Sequence, residues 1–407
     1  MRKMYYRPQK VSSLALIGLA GLAIVVVVGL RHVPAQLPRF ERWTGAFAAV
    51  PDLSERMLQA SRRTAAGYQV IRQERVRRDH LMLDAYDPAG TGMIGPSMSL
   101  VTTLPGHLEA KLTSVNPNFA AVAMRLLVDA GVRPGDRVAI GCTGSFPALN
   151  IAVICAAESL GAKPVLVSSA ASSQFGANAP DLMWPDMENL LVREGIIQSQ
   201  SVAISRGGFR DRADGMDDVT REMLEAAIAR NGRRLMDSRD DADAIERRMV
   251  AFAEAAGEEK YAAYVNVGGG DASIGGTIGN DTLGEGVIRP SRWTTSPPLP
   301  EDPAERAKVD SVAARFLATG VPVVNLINTV TLARRFGLPV ASATPIEVGR
   351  GSVFALTDAR RIFAILAIIL IAGATALVMR PPARLVRFAQ QRGWFGRNAA
   401  HQPRWMV

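Results

Sequence analysis

Two uncharged apolar stretches near opposite ends of the 407-residue chain constrain its fold most strongly. Residues 11–30 and residues 362–379 contain no Asp, Glu, Lys or Arg. Because a helix rises about 1.5 Å per residue, each stretch is about long enough to cross the hydrocarbon core of a bilayer. We therefore predict one transmembrane helix over 11–30 and a second over 361–379, with the residues between them on one side of a membrane.

The charges that flank these stretches predict how the chain is oriented. Residues 1–10 carry four basic side chains and residues 380–407 carry six, and neither segment contains an acidic side chain. Basic segments of this kind stay on the cytoplasmic side. We predict a two-pass protein of the cytoplasmic (inner) membrane, with a cytoplasmic N-terminus over 1–10, a basic cytoplasmic tail over 380–407 and a periplasmic or extracellular main domain.

Each apolar stretch has an alternative interpretation. Residues 33–35, Val-Pro-Ala, loosely fit the small-residue site of a signal peptide, so residues 11–30 could be a cleaved signal. The apolar run is longer than an ordinary signal-peptide core of about 7–15 residues, which favours a retained helix. Residues 362–379 could be a buried core helix, but the absence of a polar stripe favours a membrane span.

The composition excludes several classes of protein. The net charge is +9, but residues 31–360 carry 36 basic and 38 acidic side chains, so the positive excess belongs to the two ends. No cluster of Lys and Arg interleaved with aromatic residues occurs in this middle region, so we expect no nucleic acid partner. The two cysteines, Cys142 and Cys155, are too few for a disulfide framework and are predicted to be free. The four histidines lack metal-ligand spacing, so no metal site is predicted.

Between the two stretches, the patterns divide the chain into a juxtamembrane helix and loop over 31–110 and an α/β domain over 111–360. Asp52 followed by Glu55 resembles a capping box and predicts a helix that runs to about Arg78. Predicted strands then cover 137–140, 163–167, 202–204, 262–267 and 321–326, and predicted helices cover 119–127, 147–160, 185–194, 219–230, 243–256, 304–319 and 329–336. Apolar strands that alternate with helices predict a doubly wound, mostly parallel, Rossmann-like α/β sheet that is covered on both faces.

In such a sheet, ligands bind beyond the carboxyl ends of the strands, so the loops that follow predicted strands are the candidate site. The candidate ligand-binding residues are Thr143, Gly144, Ser145, Asn150, Ser168, Ser169, Ser173, Gly268, Gly269, Gly270, Asp271 and Asn325. Asn328, three residues after Asn325 in the sequence, belongs to the same predicted loop. Glycines let the backbone turn tightly and expose helix N-terminal amides, which suits a carboxylate or a phosphate. Each loop alone could also be no more than a turn, and Ser145 could simply cap a helix.

The loop over 141–146 matches none of the familiar catalytic or nucleotide motifs. It is neither G-x-G-x-x-G nor a P-loop with its lysine, so we predict no nucleotide and no other cofactor. Ser145 is the candidate catalytic nucleophile because it lies at a strand-to-helix turn, although the loop is not G-x-S-x-G. Lys111 precedes Ser114 by three residues, which reverses the familiar S-x-x-K order and makes this pair a weak candidate.

Four segments together resemble a known family. They are 111–122, 141–150, 172–181 (followed by Trp184, Asp186 and Glu188) and 266–273. In this order they are similar to the poly-gamma-glutamate system proteins, which accompany the membrane synthetase of a poly-γ-glutamate capsule or released polymer. The resemblance implies a role in making, exporting or attaching that polymer, with the polymer, the membrane subunits of the synthetase and the lipid bilayer as partners. It implies no particular catalytic residue.

Three functional hypotheses remain open at this point. The first is an accessory component of poly-γ-glutamate synthesis and export, whose external domain binds or guides the polyanion. The second is an external hydrolase or transferase acting on γ-glutamyl bonds, with Ser145 as nucleophile or as a donor to the oxyanion. The third is a scaffolding or solute-sensing domain. A polyanion-binding domain is expected to present a basic patch, for which Arg206, Arg210 and Arg212 are the candidates.

Overall fold

The fold is taken from a computed structural model, which describes residues 13–32, 50–293, 310–354 and 359–379. The chain divides into two compact units, one formed by Met1–Phe40 with Thr357–Val407 and the other by Glu41–Leu356. The described helices are α1 Ser13–His32, α2 Leu53–Arg77, α3 Leu108–Ser114, α4 Phe119–Ala130, α5 Pro147–Leu160, α6 Trp184–Arg193, α7 Asp218–Arg230, α8 Asp241–Ala256, α9 Asp271–Ile274, α10 Gly276–Leu283, α11 Pro290–Trp293, α12 Val312–Ala318, α13 Thr329–Phe336 and α14 Ala359–Met379. The described strands are β1 Arg137–Thr143, β2 Lys163–Ser169, β3 Asn178–Ala179, β4 Leu182–Met183, β5 Ser201–Ser205, β6 Leu235–Met236, β7 Tyr261–Val267, β8 Gly286–Ile288 and β9 Val323–Leu326.

The larger unit is built on a mostly parallel sheet of seven strands, in the order β6-β5-β2-β1-β7-β9-β8. Only β8 runs antiparallel, at one edge, against β9. The chain moves from β1 outward through β2 and β5, then returns to the other side of β1 with β7, so the winding reverses between β1 and β7. The predicted mixed α/β fold with a mostly parallel sheet is therefore confirmed, and this strand order is consistent with a Rossmann-like arrangement. Strands β3 and β4 form a separate small hairpin.

Two helical layers cover this sheet, and side chains of the central strand alternate between them. Val138 and Ile140 of β1 point into the core formed with α2, α4, α5 and α6. Ala139 points into the opposite core, formed with α8 and α12. That second core contains an aromatic cluster in which the rings of Tyr264 and Phe316 stack at 5.0 Å between centroids. This alternation explains why the buried part of the strand, residues 138–142, is apolar on both faces.

The terminal unit contains α1 and α14, which contact each other and coincide with the two predicted transmembrane segments. In the part of the chain that the structure describes, we find no helix with both the length and the apolar character needed to cross a membrane. The predicted cytoplasmic segments, 1–10 and 380–407, lie outside the described residues.

Several local predictions are confirmed and one is wrong. α5 and α13 have the predicted bounds, and Cys142 and Cys155 are both free and buried. The capping box at the start of α2 is absent, since Asp52 has a left-handed backbone with φ of 54° and its side chain makes no capping hydrogen bond. The predicted helix over 304–319 is observed from 312 to 318, and residues 304–309 lie outside the described residues.

Candidate functional site

The loops that follow β1 and β2 pack against each other through their backbones. The N–H of Gly144 donates to the carbonyl of Ser169 at 3.1 Å, and the N–H of Ala177 donates back to the carbonyl of Gly144 at 2.8 Å. A Cβ at position 144 would lie 2.6 Å from the carbonyl oxygen of Ala170, which is closer than van der Waals contact permits. Glycine is therefore required for this close approach.

A buried lysine lies between these two loops. The Lys111 side chain comes from α3 and is 3% exposed. Its Nζ donates to the backbone carbonyl of Ser145 and, at 2.9 Å, to the Oγ of Ser173. It also lies 4.2 Å from the centre of the Phe146 ring, a distance typical of a cation–π contact. Among the described residues, no carboxylate forms an ion pair with this ammonium group, so its partners are neutral.

Burial changes the protonation of this lysine. Desolvation alone lowers the pKa of Lys111 to about 7, because removing the ammonium group from water disfavours its charged form. Near neutral pH, the charged and neutral forms of the amine are therefore both populated. Lysines tuned in this way serve as bases or as sites for anions in many enzymes.

The hydroxyls of Ser145 and Ser173 lie beside this amine and join the two loops. The Oγ of Ser145 accepts the N–H of Ser173 at 3.0 Å, and the N–H of Ser145 donates to the Oγ of Thr143 at 3.2 Å. Ser172 donates through its own Oγ to the carbonyl of Ser173 at 2.8 Å. Both Ser145 and Ser173 are partly exposed, so a ligand can approach them from solvent. We call the site formed by Lys111, Ser145 and Ser173 the β1/β2 edge.

The glycine-rich loop after β7 closes one side of the β1/β2 edge. Gly268 has φ of +80°, and a Cβ there would lie 2.8 Å from the Cγ2 of Thr143, so the two loops are in close contact. Gly269 and Gly270 are exposed. Asp271 follows them and accepts the N–H of Arg210 at 3.1 Å. Burial, reinforced by the nearby acidic side chains, raises the pKa of Asp271.

Three of the predicted ligand-binding residues, Asn150, Ser168 and Asn325, are buried and form hydrogen bonds within the protein. Asn150 is fully buried and holds the end of β1 by accepting the N–H of Thr143 at 3.3 Å and donating to its carbonyl at 2.8 Å. Ser168 is bonded to the Oγ of Ser201 at 2.5 Å within the core. Asn325 accepts from Asn266 at 2.9 Å. These side chains satisfy buried backbone or side-chain groups, which is the usual reason for a polar residue in a core.

Asn328 also has a structural role in the fold. Its side chain accepts the N–H of Thr331 at 3.0 Å and so caps the N-terminus of α13. This is the bonding pattern that makes Asn a preferred residue at helix starts. Of the four predicted loops, those after β1, β2 and β7 therefore meet at one place, whereas the polar residues after β9 complete the fold.

A second group of charged side chains lies beyond the ends of β5 and β6. The predicted basic patch of Arg206, Arg210 and Arg212 is found here, but acidic partners balance its charge. The pairs are Arg206 with Glu225 and Asp237 at 2.6 Å each, Arg210 with Asp241 at 3.8 Å and Arg212 with Asp214 at 3.5 Å. Five acidic and three basic side chains line a cavity of about 540 Å³ at this place, so acidic side chains outnumber basic ones in its lining.

A buried ion pair lies beside this second group of charged side chains. Arg248 and Asp211 are both buried and bonded at 2.7 Å, and Ser205 at the end of β5 donates to the same carboxylate at 2.6 Å. The loop over 207–215 that carries Asp211 contains several residues with positive φ, including Arg210 and Ala213. We call the region formed by this pair and the Arg206 pairs the β5/β6 edge.

The sequence marks Lys111 only as a weak candidate beside Ser114, and it does not predict the partners that Lys111 has in the site. Its partners, Ser145 and Ser173, lie 34 and 62 residues away along the chain. The sequence signal for Lys111 was its position as the first residue of the family-like segment 111–122. A single lysine at such a position is usually exposed to solvent, so its burial was not expected. In the described part of the chain, no group of three or more His, Cys, Asp or Glu side chains could hold a metal ion.

Comparison of this chain with known family models, with characterised proteins and with solved structures finds no match.

Proposed function

We propose that this chain is a membrane-anchored accessory component of poly-γ-glutamate synthesis and export, and that its α/β domain binds carboxylates of the polymer at the β1/β2 edge. One observation supports the proposal most directly. The four separate segments that resemble the poly-gamma-glutamate system proteins meet there: Lys111 of the first bonds to Ser145 of the second and Ser173 of the third, and Gly268 of the fourth lies against Thr143.

The chemistry of the β1/β2 edge suits a carboxylate. Lys111 has no acidic partner among the described residues, so no local carboxylate cancels its charge when the amine is protonated. Charge interactions are stronger in a protein interior than in water, because the effective dielectric constant is lower. The N-terminus of α5 lies at the same edge and adds its partial positive charge.

Attachment to the membrane is a separate part of the proposal and is supported by the sequence. Two uncharged stretches of 20 and 18 residues are flanked on their outer sides by basic segments without acidic residues. A domain held outside the cytoplasm between two such helices would meet the polymer as it leaves the membrane synthetase.

The proposal is tested by titrating the full-length chain with poly-γ-glutamate oligomers and following heat release in a calorimeter. We expect binding that weakens by about tenfold in Lys111→Met, because a charge-assisted partner of the carboxylate is lost. We also expect affinity to fall as the pH rises from 6 to 8. A bound carboxylate stabilises the protonated amine, and the protonated fraction of Lys111 decreases through its pKa of about 7.

Lys163 provides the matched control. It is a lysine at the opposite, amino end of β2, with an exposed side chain that lies 3.8 Å from Glu259. Lys163→Met removes the same charge from the chain and should leave the affinity unchanged within about twofold. Absence of binding, or equal weakening by the two substitutions, would contradict binding at the β1/β2 edge.

A further inference from the structure

We propose that Ser173 and Lys111 form a nucleophile–base pair that catalyses acyl transfer at the γ-glutamyl amide bonds of the bound polymer. The inference rests on the proposed function for its substrate, and it assigns the reaction to Ser173 instead of Ser145. The observation that carries it is the 2.9 Å contact between the Nζ of Lys111 and the Oγ of Ser173, which is hydrogen-bonding distance for proton transfer.

The surroundings of the amine favour its use as a base. A serine hydroxyl is a weak nucleophile unless a neighbouring group accepts its proton. A lysine can accept it only in its neutral form, and desolvation in this site brings the pKa of Lys111 to about 7. None of the described residues supplies a carboxylate to Lys111. A polymer carboxylate held beside the amine stabilises its ammonium form, so the acyl transfer uses the neutral fraction of Lys111, which grows as the pH rises through 7.

The contact with the Ser145 carbonyl fixes the direction of the amine. In its neutral form, Lys111 can keep one N–H on that carbonyl and turn its lone pair toward the Oγ of Ser173. Because Lys111 is 3% exposed, water cannot easily replace Ser173 as its partner. Ser173 itself is partly exposed, which leaves the Oγ accessible to an extended chain that lies across the loops.

The reaction balances with water or an amine as the second substrate. The Oγ of Ser173 transfers its proton to Lys111 and attacks the carbonyl carbon of a γ-glutamyl amide. The C–N bond then breaks, Lys111 returns the proton to the departing amine, and an ester with Ser173 remains. Water or the amine of another chain attacks this ester and gives its proton to Lys111. The bond between the acyl carbon and the Oγ of Ser173 then breaks, and Lys111 returns the proton to this Oγ, which regenerates the hydroxyl and the neutral amine.

Ser145 is placed to assist this reaction without being its nucleophile. Its Oγ already accepts the N–H of Ser173 at 3.0 Å, so its own hydrogen remains available for donation. A substrate carbonyl held against Ser173 would place its oxygen near this hydroxyl, which can stabilise the negative charge of the tetrahedral intermediate. This geometry gives Ser145 the role of a donor to the oxyanion.

The first test is covalent labelling of the full-length chain with a fluorophosphonate probe, followed by mass spectrometry of the modified peptide. We expect the label on Ser173 and a labelling rate that rises as the pH increases through 7, because the base must be neutral. Ser173→Ala should abolish labelling, and Ser145→Ala should slow it at least tenfold. Ser172→Ala is the matched control, since Ser172 is the adjacent serine and donates to a backbone carbonyl instead of contacting Lys111.

The second test incubates the wild type and Ser173→Ala with poly-γ-glutamate oligomers and follows both binding and chain length. We expect both proteins to bind and only the wild type to change the chain length. Binding without a change in length, together with an unlabelled Ser173, would overturn the inference and leave the proposed function intact. Absence of binding by a wild type that is labelled at Ser173 would overturn the proposed substrate while retaining the nucleophile.

Discussion

The β1/β2 edge and the β5/β6 edge both lie at the carboxyl ends of the parallel strands of one sheet, but their basic side chains have different kinds of partner. At the β5/β6 edge, Arg248 is bonded to Asp211 at 2.7 Å, and Arg206 is shared by two carboxylates. At the β1/β2 edge, Lys111 is bonded to a carbonyl, a hydroxyl and an aromatic ring. A paired cation contributes to the structure of a loop, whereas a cation with neutral partners can still interact with a ligand.

The difference also separates two kinds of positive charge that look alike in a sequence. Arginine keeps its charge under all ordinary conditions and forms forked bonds to carboxylates, so it suits permanent pairs such as Arg248 with Asp211. Burial without an acidic partner lowers the pKa of a lysine, and desolvation lowers the pKa of Lys111 to about 7. An arginine therefore suits the permanent ion pair of the β5/β6 edge, and a lysine suits the β1/β2 edge, where its partners are neutral.

The largest expected effect comes from breaking the buried pair of the β5/β6 edge. Arg248→Met leaves Asp211 buried without its main partner and should lower the free energy of unfolding by about 3–5 kcal/mol. Thermal or urea unfolding of the full-length chain measures this change. Arg247→Met is the control, because Arg247 pairs with Asp243 on the exposed side of α8 and should cost at most about 1 kcal/mol. Equal effects would mean that the buried pair is not a structural element.

The second-largest expected effect is a pH dependence of the free energy of unfolding, which arises from Lys111 at the β1/β2 edge. Above pH 7, the unfolded chain keeps a proton on Lys111 that the folded chain releases, so the wild type should gain stability relative to Lys111→Met as the pH rises. The gain is about 1.4 kcal/mol per pH unit, or about 2–3 kcal/mol between pH 7 and 9. Below pH 7 the difference should be constant, since both states are protonated.

Unfolding experiments on both proteins from pH 5 to pH 9 check this prediction. A difference that stays flat across the whole range would show that Lys111 keeps an ordinary pKa in the folded chain. In that case, an acidic side chain or bulk water would be stabilising the ammonium form of Lys111. The two edges would then no longer differ in whether their basic side chains have a charged or strongly polar partner.

The sheet could be predicted from the sequence because its signals are local. Pro147 opens α5 and Gly161 follows its last residue with a left-handed backbone, and these are the standard signals for a helix start and end. Apolar runs mark β1, β2 and β7 in the same way. The strands β6 and β8 have only two and three residues, too few for a pattern, and are defined by their pairing with β5 and β9.

The candidate site could be predicted only in part, because its contacts are not local. The small polar loops after β1, β2 and β7 follow from the position of the strands, and the structure brings Thr143, Ser145 and Ser173 together. The sequence gives no measure of distance across 62 residues, so the contact of Lys111 with Ser173 was not predicted. Likewise, Asn150 and Asn325 have the residue type of a ligand-binding group, and only their partners reveal a structural role.

The smallest expected effect tests whether the β5/β6 edge contributes to the proposed binding of poly-γ-glutamate. Arg206→Met breaks two ion pairs whose carboxylates, Glu225 and Asp237, are 41% and 66% exposed, so the cost to the free energy of unfolding should be at most about 1 kcal/mol. Because those carboxylates already balance the charge of Arg206, the affinity for poly-γ-glutamate oligomers should stay within about twofold of the wild type. Calorimetric titration beside Lys111→Met measures both edges under the same conditions. If Arg206→Met lowered the affinity tenfold and Lys111→Met did not change it, the proposed binding site would lie at the β5/β6 edge and not at the β1/β2 edge.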